Sequence, residues 1–283
     1  RGFDGLDVRK VSGEVARRTL DGLNAAPVPS GKYRVVFFSE AMCDLLGVFS
    51  SIFSAETAQK GMSLLKGRAV VADIGCDHGR LCCALLQRDA RARCIASDVS
   101  VPSLAKARSL ARLTGLWERI DFRIGDGLSV LHDGEAEAVA LLGMGGTLMA
   151  RLLDACPTPL MGARLAVLQP MRAGEDIRRY LYARGYCVER DLVVADAGRL
   201  YEVFSVLPPA PGARDAWPEG FPVDCFSVGY RAFATREPLL EALVQRQLAQ
   251  CELRLRTARG TPGEAALAEK AAQMRAILER LEG

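Results

Sequence analysis

Between residues 68 and 207, short runs of apolar, often branched side chains alternate with longer stretches whose apolar residues recur every three or four positions. The short runs predict strands at 69–74, 93–97, 120–124, 138–142, 165–168, 188–194 and 201–207, and the longer stretches predict helices at 80–87, 102–114, 146–154 and 174–184. Strands that alternate with helices demand crossover connections, and those lead to a parallel sheet covered on both faces. Only Asp196-Ala197-Gly198-Arg199 separates the last two strands, too few residues for a crossover, so they are expected to pair as an antiparallel hairpin. The fold class is therefore α/β, Rossmann-like, with a mainly parallel seven-stranded sheet. Beyond residue 237 the pattern becomes purely helical. Leu240, Val244, Leu248, Cys251 and Leu255 share one stripe, and Leu267, Ala271, Met274, Leu278 and Leu281 share another. Arg259-Gly260-Thr261-Pro262-Gly263 breaks the two stretches, which predicts a C-terminal helical hairpin.

Four parts follow from these shifts of pattern: an N-terminal extension (1–67), a sheet domain (68–209), a linker (210–236) and the hairpin (237–283). The extension reads as a helix at 12–24, a Pro-Gly turn at 27–31, a strand at 33–38, an apolar helix at 39–53 and a small-polar stretch at 54–60. The hairpin suits an RNA-contacting or dimerising arm and, equally, a packing element with a solvated outer face.

At 283 residues, 49% hydrophobic and 25% charged, the chain can bury a sizeable core. No apolar run approaches the roughly 18 residues that span a bilayer, and Arg1-Gly2-Phe3-Asp4 does not open a signal peptide. A cytoplasmic, membrane-free protein is expected, with a monomer as its simplest state. The nine cysteines lack Cys-x-x-Cys spacing and are odd in number, which suits reduced core residues. His78 and His132 are the chain's two histidines, and no metal site is expected. The net charge of +3 is modest. Arginine outnumbers lysine, which admits a phosphate-bearing partner such as RNA and is equally produced by a GC-rich genome.

The densest chemistry lies in Val71-Ala72-Asp73-Ile74-Gly75-Cys76-Asp77-His78-Gly79, a buried strand running through a glycine turn into a helix. Such turns cradle nucleotides. A dinucleotide site would place a second glycine where the backbone approaches the pyrophosphate. Here acids stand instead, and Asp73 and Asp77 suit the cationic amino end of S-adenosylmethionine better than phosphates. Asp98, followed by Val99, ends the second strand at the spacing of a carboxylate that accepts from ribose hydroxyls, a feature that fits either cofactor. Gly125-Asp126-Gly127 follows the third strand, where an acid can accept from the adenine amino group. The fourth strand leads into a Gly143-Met144-Gly145-Gly146 turn at the ligand-binding edge of such a sheet. The Pro-Pro-aromatic grip of amino-directed adenine methyltransferases is absent. A ring nitrogen already offers an in-plane lone pair, so its methylation needs alignment more than a base.

Val71 to His78, Gly125-Asp126-Gly127-Leu128, Gly143-Met144-Gly145-Gly146, Leu168-Gln169-Pro170 and Arg199-Leu200-Tyr201-Glu202-Val203 together resemble the TrmK family of bacterial tRNA adenine-N1 methyltransferases, from about residue 63 to the C-terminus. The resemblance implies transfer of a methyl group from S-adenosylmethionine to N1 of adenine 22 of tRNA. It assigns Asp73, Gly75, Asp77 and His78 to the methionine end of the cofactor, Asp98 and Val99 to its ribose side, and Gly125, Asp126 and Gly127 to its adenine. Gly143 joins the cofactor wall, Met144, Gly145 and Gly146 form the floor beneath the target base, and Asp77 is the candidate catalytic residue. The family usually continues Asp-His-Ala-Tyr-Leu where this chain has Asp77-His78-Gly79-Arg80-Leu81. Arg80 is thus the candidate to stack on the target base in place of tyrosine. Arg172, Arg178 and Arg179 are candidates for tRNA phosphates, or form an ordinary solvated helix face. The segments 29–37 and 53–61 resemble a fragment of the TldD/PmbA metalloprotease-related family, without its His-Glu-x-x-x-His element. Two alternatives stand beside the methyltransferase: a non-catalytic RNA-binding protein on the same fold, and a methyltransferase with another RNA or a small molecule as its target.

Overall fold

A computed structural model of the chain describes residues 70–196, 198–209 and 217–282. The elements expected between 12 and 60 lie outside the described residues. Seven strands form one sheet: β1 (Val70–Ile74), β2 (Arg93–Asp98), β3 (Ile120–Ile124), β4 (Ala138–Gly145), β5 (Leu165–Arg172), β6 (Cys187–Asp196) and β7 (Arg199–Leu207), in the order β3-β2-β1-β4-β5-β7-β6. The first five pair in parallel, and β7 inserts antiparallel between β5 and β6. The expected mainly parallel sheet ending in a hairpin is what the chain forms.

Period-two alternation along each strand divides the core between the two faces of the sheet. Ala72, Ile74, Val139, Leu141, Ala166 and Leu168 belong to one cluster, and Val71, Ala138, Ala140, Leu165 and Val167 to the other. Helices α1 (Arg80–Arg88) and α2 (Val101–Leu113) cover the second face with Leu81, Leu85, Leu104 and Ala107. Ser100 starts α2, its hydroxyl accepting from the Ser103 amide at 3.3 Å, with Pro102 in the first turn. On the first face lie α3 (Gly146–Ala155), the short α4 (Thr158–Met161) and α5 (Gly174–Ala183), which contribute Met149, Leu153, Leu160, Ile177 and Leu181.

Residues 217–236, which pattern alone leaves as a linker, are packed. Trp217 stacks on Tyr230 at 5.4 Å and meets Phe221, Phe226 and Tyr182 edge-on at 5.7, 5.3 and 5.3 Å, and α6 (Tyr230–Ala234) closes the segment. Its apolar residues cluster in space without helical or strand periodicity. Helices α7 (Leu240–Thr257) and α8 (Glu264–Glu282) form the expected hairpin, and Leu240, Val244, Met274 and Ile277 join the first core cluster.

Arg178 needs a correction. It is buried, its guanidinium bound to Asp191 at 3.3 Å and Glu202 at 2.6 Å and lying over the Phe204 ring. Burial opposes its charge, but the two carboxylates hold its pKa above the usual arginine value. A guanidinium so enclosed belongs to the interior and meets no tRNA phosphate. Arg179 is exposed beside it and lies over Phe226.

Candidate functional site

The turn after β1 is bound to β2 through its backbone. The Gly75 and Cys76 amides both donate to the Ser97 carbonyl, at 2.9 and 2.8 Å. Gly75 has φ +75, a left-handed conformation that side chains resist, and a Cβ there would sit 2.9 Å from the Met144 methyl. Asp77 is also left-handed, at φ 44, a conformation aspartate tolerates better than most residues. Its amide donates to Asp98 Oδ2 at 3.0 Å, while the Ser100 amide donates to Oδ1 at 2.8 Å. Each Asp98 oxygen thus receives one backbone N–H and keeps a second acceptor direction, the requirement for gripping a pair of adjacent hydroxyls. The exposed Asp77 carboxylate pairs with His78 Nδ1.

Beneath this turn Asp73 is buried at 4% exposure, with the Cys82 thiol donating to it at 3.7 Å. Burial raises its pKa to about 7, the Cys82 contact opposes that rise, and the Asp98 charge adds to it. A buried carboxylate whose neighbours are a thiol and another carboxylate suits a ligand that brings a cation. Ser97 Oγ is also buried and has no hydrogen-bond partner among the described residues. Burial pushes the Cys76 thiol well up, so it is no nucleophile. These residues fit the ammonium and ribose of S-adenosylmethionine.

Toward β3 the rim turns apolar. Val99, Val101 and Ile124 are 65%, 57% and 56% exposed beside the exposed Asp126 and half-buried Gly125, whose amide donates to the Asp98 carbonyl. Val101 and Ile124 escaped the sequence reading. Their signals are an apolar residue that ends a strand, Ile124, and one that opens a helix, Val101, both of which periodicity assigns to the core. Gly127 is buried under Leu152.

On the other side, the expected Gly143–Gly146 turn is instead an extension of β4. The strand runs to Gly145 with register shifts at Leu142/Met144 and Met144/Gly145, and α3 starts at Gly146. The bulge at Gly143 (φ +74) turns that residue's amide to the side chain of buried Gln169, whose Oε1 accepts it at 3.0 Å. Met144 packs back on Gly75, so the turn after β1 and the end of β4 touch. A Cβ at Gly146 would lie 2.0 Å from the Ala173 carbonyl oxygen, so the start of α3 lies directly against the turn into α5. Thr147 Oγ1 donates to Asp176 Oδ2 across the same gap at 2.5 Å. Arg172 is exposed alongside Gly145. Arg80, half-buried at the first position of α1, is already engaged within the chain. Among the described residues no group of three His, Cys, Asp or Glu side chains has metal-holding geometry. No helix there is long and apolar enough to cross a membrane.

A sheet of this order with an inserted antiparallel β7, an acidic turn after β1 and a carboxylate closing β2 defines the Rossmann-like methyltransferase class. The family model described as a methyltransferase domain matches residues 59–204, and the chain belongs to that family. A second model, the PmbA/TldA metallopeptidase C-terminal domain, matches residues 30–73, where the sequence resembles a fragment of that family. The resemblance to the TrmK family is supported by a Bacillus subtilis protein named tRNA (adenine(22)-N(1))-methyltransferase, 36% identical over 152 residues, which are 54% of this chain and 63% of that protein. The crystal structure of the B. subtilis m1A22 tRNA methyltransferase TrmK is 28% identical, with a TM-score of 0.63, covering 76% of this chain and 92% of its own. A Streptococcus pneumoniae candidate tRNA (m1A22) methyltransferase, crystallised with S-adenosyl-L-methionine, is alike in fold at 22% identity. Its TM-score is 0.67, with 83% of this chain and 98% of that one covered. The chain spans 63% and 61% of the lengths of two curated relatives, under two thirds of each.

Proposed function

We propose that the protein transfers a methyl group from S-adenosylmethionine to N1 of adenine 22 of tRNA, acting in the cytoplasm as a monomer. The observation that carries the cofactor half is the buried Asp73 carboxylate beneath a turn whose Asp77 amide is held by Asp98. The target half rests on the names of the relatives.

When bound, the cofactor supplies an electrophilic methyl group on a sulfonium. The residues of this chain then bind and align. Asp73 faces the ammonium, with Gly75, Asp77 and His78 lining the methionine end. Asp98 accepts from the ribose hydroxyls. Val99, Val101 and Ile124 flank the adenine, and Gly125, Asp126 and Gly127 close its edge. Gly143, Met144, Gly145 and Gly146 make the floor on which the target adenine lies, with Arg80 and Arg172 at its rim. The N1 lone pair forms the new N–C bond as the C–S bond breaks, with its electron pair passing to sulfur and the positive charge to the base. No proton leaves N1 first, so approximation supplies the rate and Asp77 is assigned to binding rather than to proton transfer.

The test incubates the protein with S-adenosylmethionine and tRNA and maps reverse-transcription stops, since N1 methylation removes the Watson–Crick edge. A new stop at adenine 22 is expected. Cofactor binding without any new stop in the D arm would refute the target and favour a different substrate.

A further inference from the structure

Away from the cofactor turn, the last two turns of α2 form a rim that the methyltransferase reading does not use. The helix carries Lys106, Arg108 and Arg112 and no carboxylate along its 13 residues. The Arg112 guanidinium lies 4.4 Å from the Trp117 ring centre and that of Arg108 5.8 Å from Phe122, and these two rings stack at 5.2 Å and 26°. Neither guanidinium has an ion-pair partner among the described residues. Each therefore keeps its N–H edge for a ligand while the ring holds its flat face, the preorganised form in which arginine binds phosphate. Arg93 reaches the same cleft, of about 760 Å³, from the start of β2. Arg123 binds both Asp121 at 2.7 Å and Glu135 at 2.5 Å and offsets one of these two charges, so the four arginines of the lining exceed its three acids by one.

We propose that this rim is a second docking surface for the sugar–phosphate backbone of the substrate RNA, an inference that rests on the RNA reading above. Helix α2 starts three residues after Asp98, and at 1.5 Å per residue Arg108 and Arg112 lie about 12 and 18 Å along it from Ser100. RNA whose target base enters at the carboxyl edge of the sheet has strand to spare over that distance. The surplus of cations and the stacked rings favour RNA over a second copy of the chain paired along the edge strand β3.

The test compares the full chain with Arg108→Ala/Arg112→Ala and with Arg108→Lys/Arg112→Lys. It measures tRNA binding at several salt concentrations, S-adenosylmethionine affinity, melting temperature and oligomeric state. The alanine pair is expected to weaken tRNA binding about tenfold and to lower the salt slope by about 2, since each phosphate contact contributes nearly one. It should raise KM for tRNA with kcat, cofactor affinity and melting temperature unchanged, and the lysine pair should recover most of the salt slope. Wild-type protein that binds tRNA as the alanine pair does, with the same slope, overturns the rim alone. Wild-type protein without tRNA affinity overturns the RNA reading and the rim together. An unchanged tRNA affinity with loss of a dimer overturns the rim as an RNA surface and assigns it to self-association.

Discussion

The chemistry of the site concentrates in Asp73, a residue whose burial works against its own charge. Its pKa of about 7 stands above the 3.8 of an ordinary aspartate, so between those values the folded protein binds the proton that the unfolded chain has released. The sign follows directly: this group contributes its full stability below pH 4, and that contribution is lost as pH rises through about 7. A ligand ammonium beside the carboxylate reverses the preference. S-adenosylmethionine affinity is therefore expected to rise between about pH 6 and pH 8, with proton release measurable by calorimetry in buffers of different ionisation enthalpy. Asp73→Asn should bind the cofactor at least about tenfold more weakly and without that slope, while at pH 8 its ligand-free melting temperature equals or exceeds that of wild type. A wild-type affinity that stays flat over this range would remove Asp73 from the ammonium site. Arg178 shows the limit of reading residues singly. Its partners lie 13 and 24 residues away on neighbouring strands, so a cation on an amphipathic helix reads as surface until the sheet brings both carboxylates to it.

Elements were legible where periodicity was strong. The seven strands and the helices α1, α2, α3 and α5 follow from this pattern, because a parallel strand buried on both faces must be a continuous apolar run and its crossover helix must be amphipathic, whereas the four-residue α4 is too short to show a period. Legibility failed at the end of β4 and in residues 217–236. Gly143-Met144-Gly145-Gly146 has the composition of a turn, and it stays extended because Gln169, on the next strand, takes the amide that the bulge removes from the ladder. The aromatic packing around Trp217 has no repeat to detect. The bulge also determines where Met144 meets Gly75, which makes Gln169 a positioning residue for the proposed target floor. Gln169→Ala leaves the Gly143 amide without its acceptor, a loss of about 1–3 kcal/mol. The expected result is a kcat reduced by about tenfold with cofactor affinity within about twofold of wild type. Equal loss of kcat and cofactor affinity would instead mean that Gln169 supports the whole edge of the sheet and not the floor alone.

For the whole molecule, the decisive connection is between the hairpin and the sheet. Leu240, Val244, Met274 and Ile277 are fully buried and share one cluster with Leu168 of β5 and Ile177 of α5. Polar contacts repeat the connection at the surface: Lys270 binds Glu175 at 2.6 Å, the Ser227 hydroxyl donates to the same carboxylate, and Gln247 donates to the Ser227 carbonyl. Glu175 stands at the second position of α5, three residues after exposed Arg172 at the end of β5. The hairpin root is thus packed beside the edge proposed to receive the RNA, and of the two expected roles the structure bears out the packing element. Truncating Ile277 to alanine should cost about 2–5 kcal/mol, as buried large-to-small changes do, and lower the melting temperature by several degrees. Leu253, 63% exposed toward the far end, should be replaceable by alanine with no thermal effect. Removing residues 237–283 takes Leu240, Val244, Met274 and Ile277 out of the first core cluster, and the expected outcome is an aggregating or loosely packed chain rather than a stable domain deprived of an arm. A truncated protein that melts cooperatively near the wild-type temperature would show that the sheet closes its core without the hairpin and that its buried apolar face has another cover.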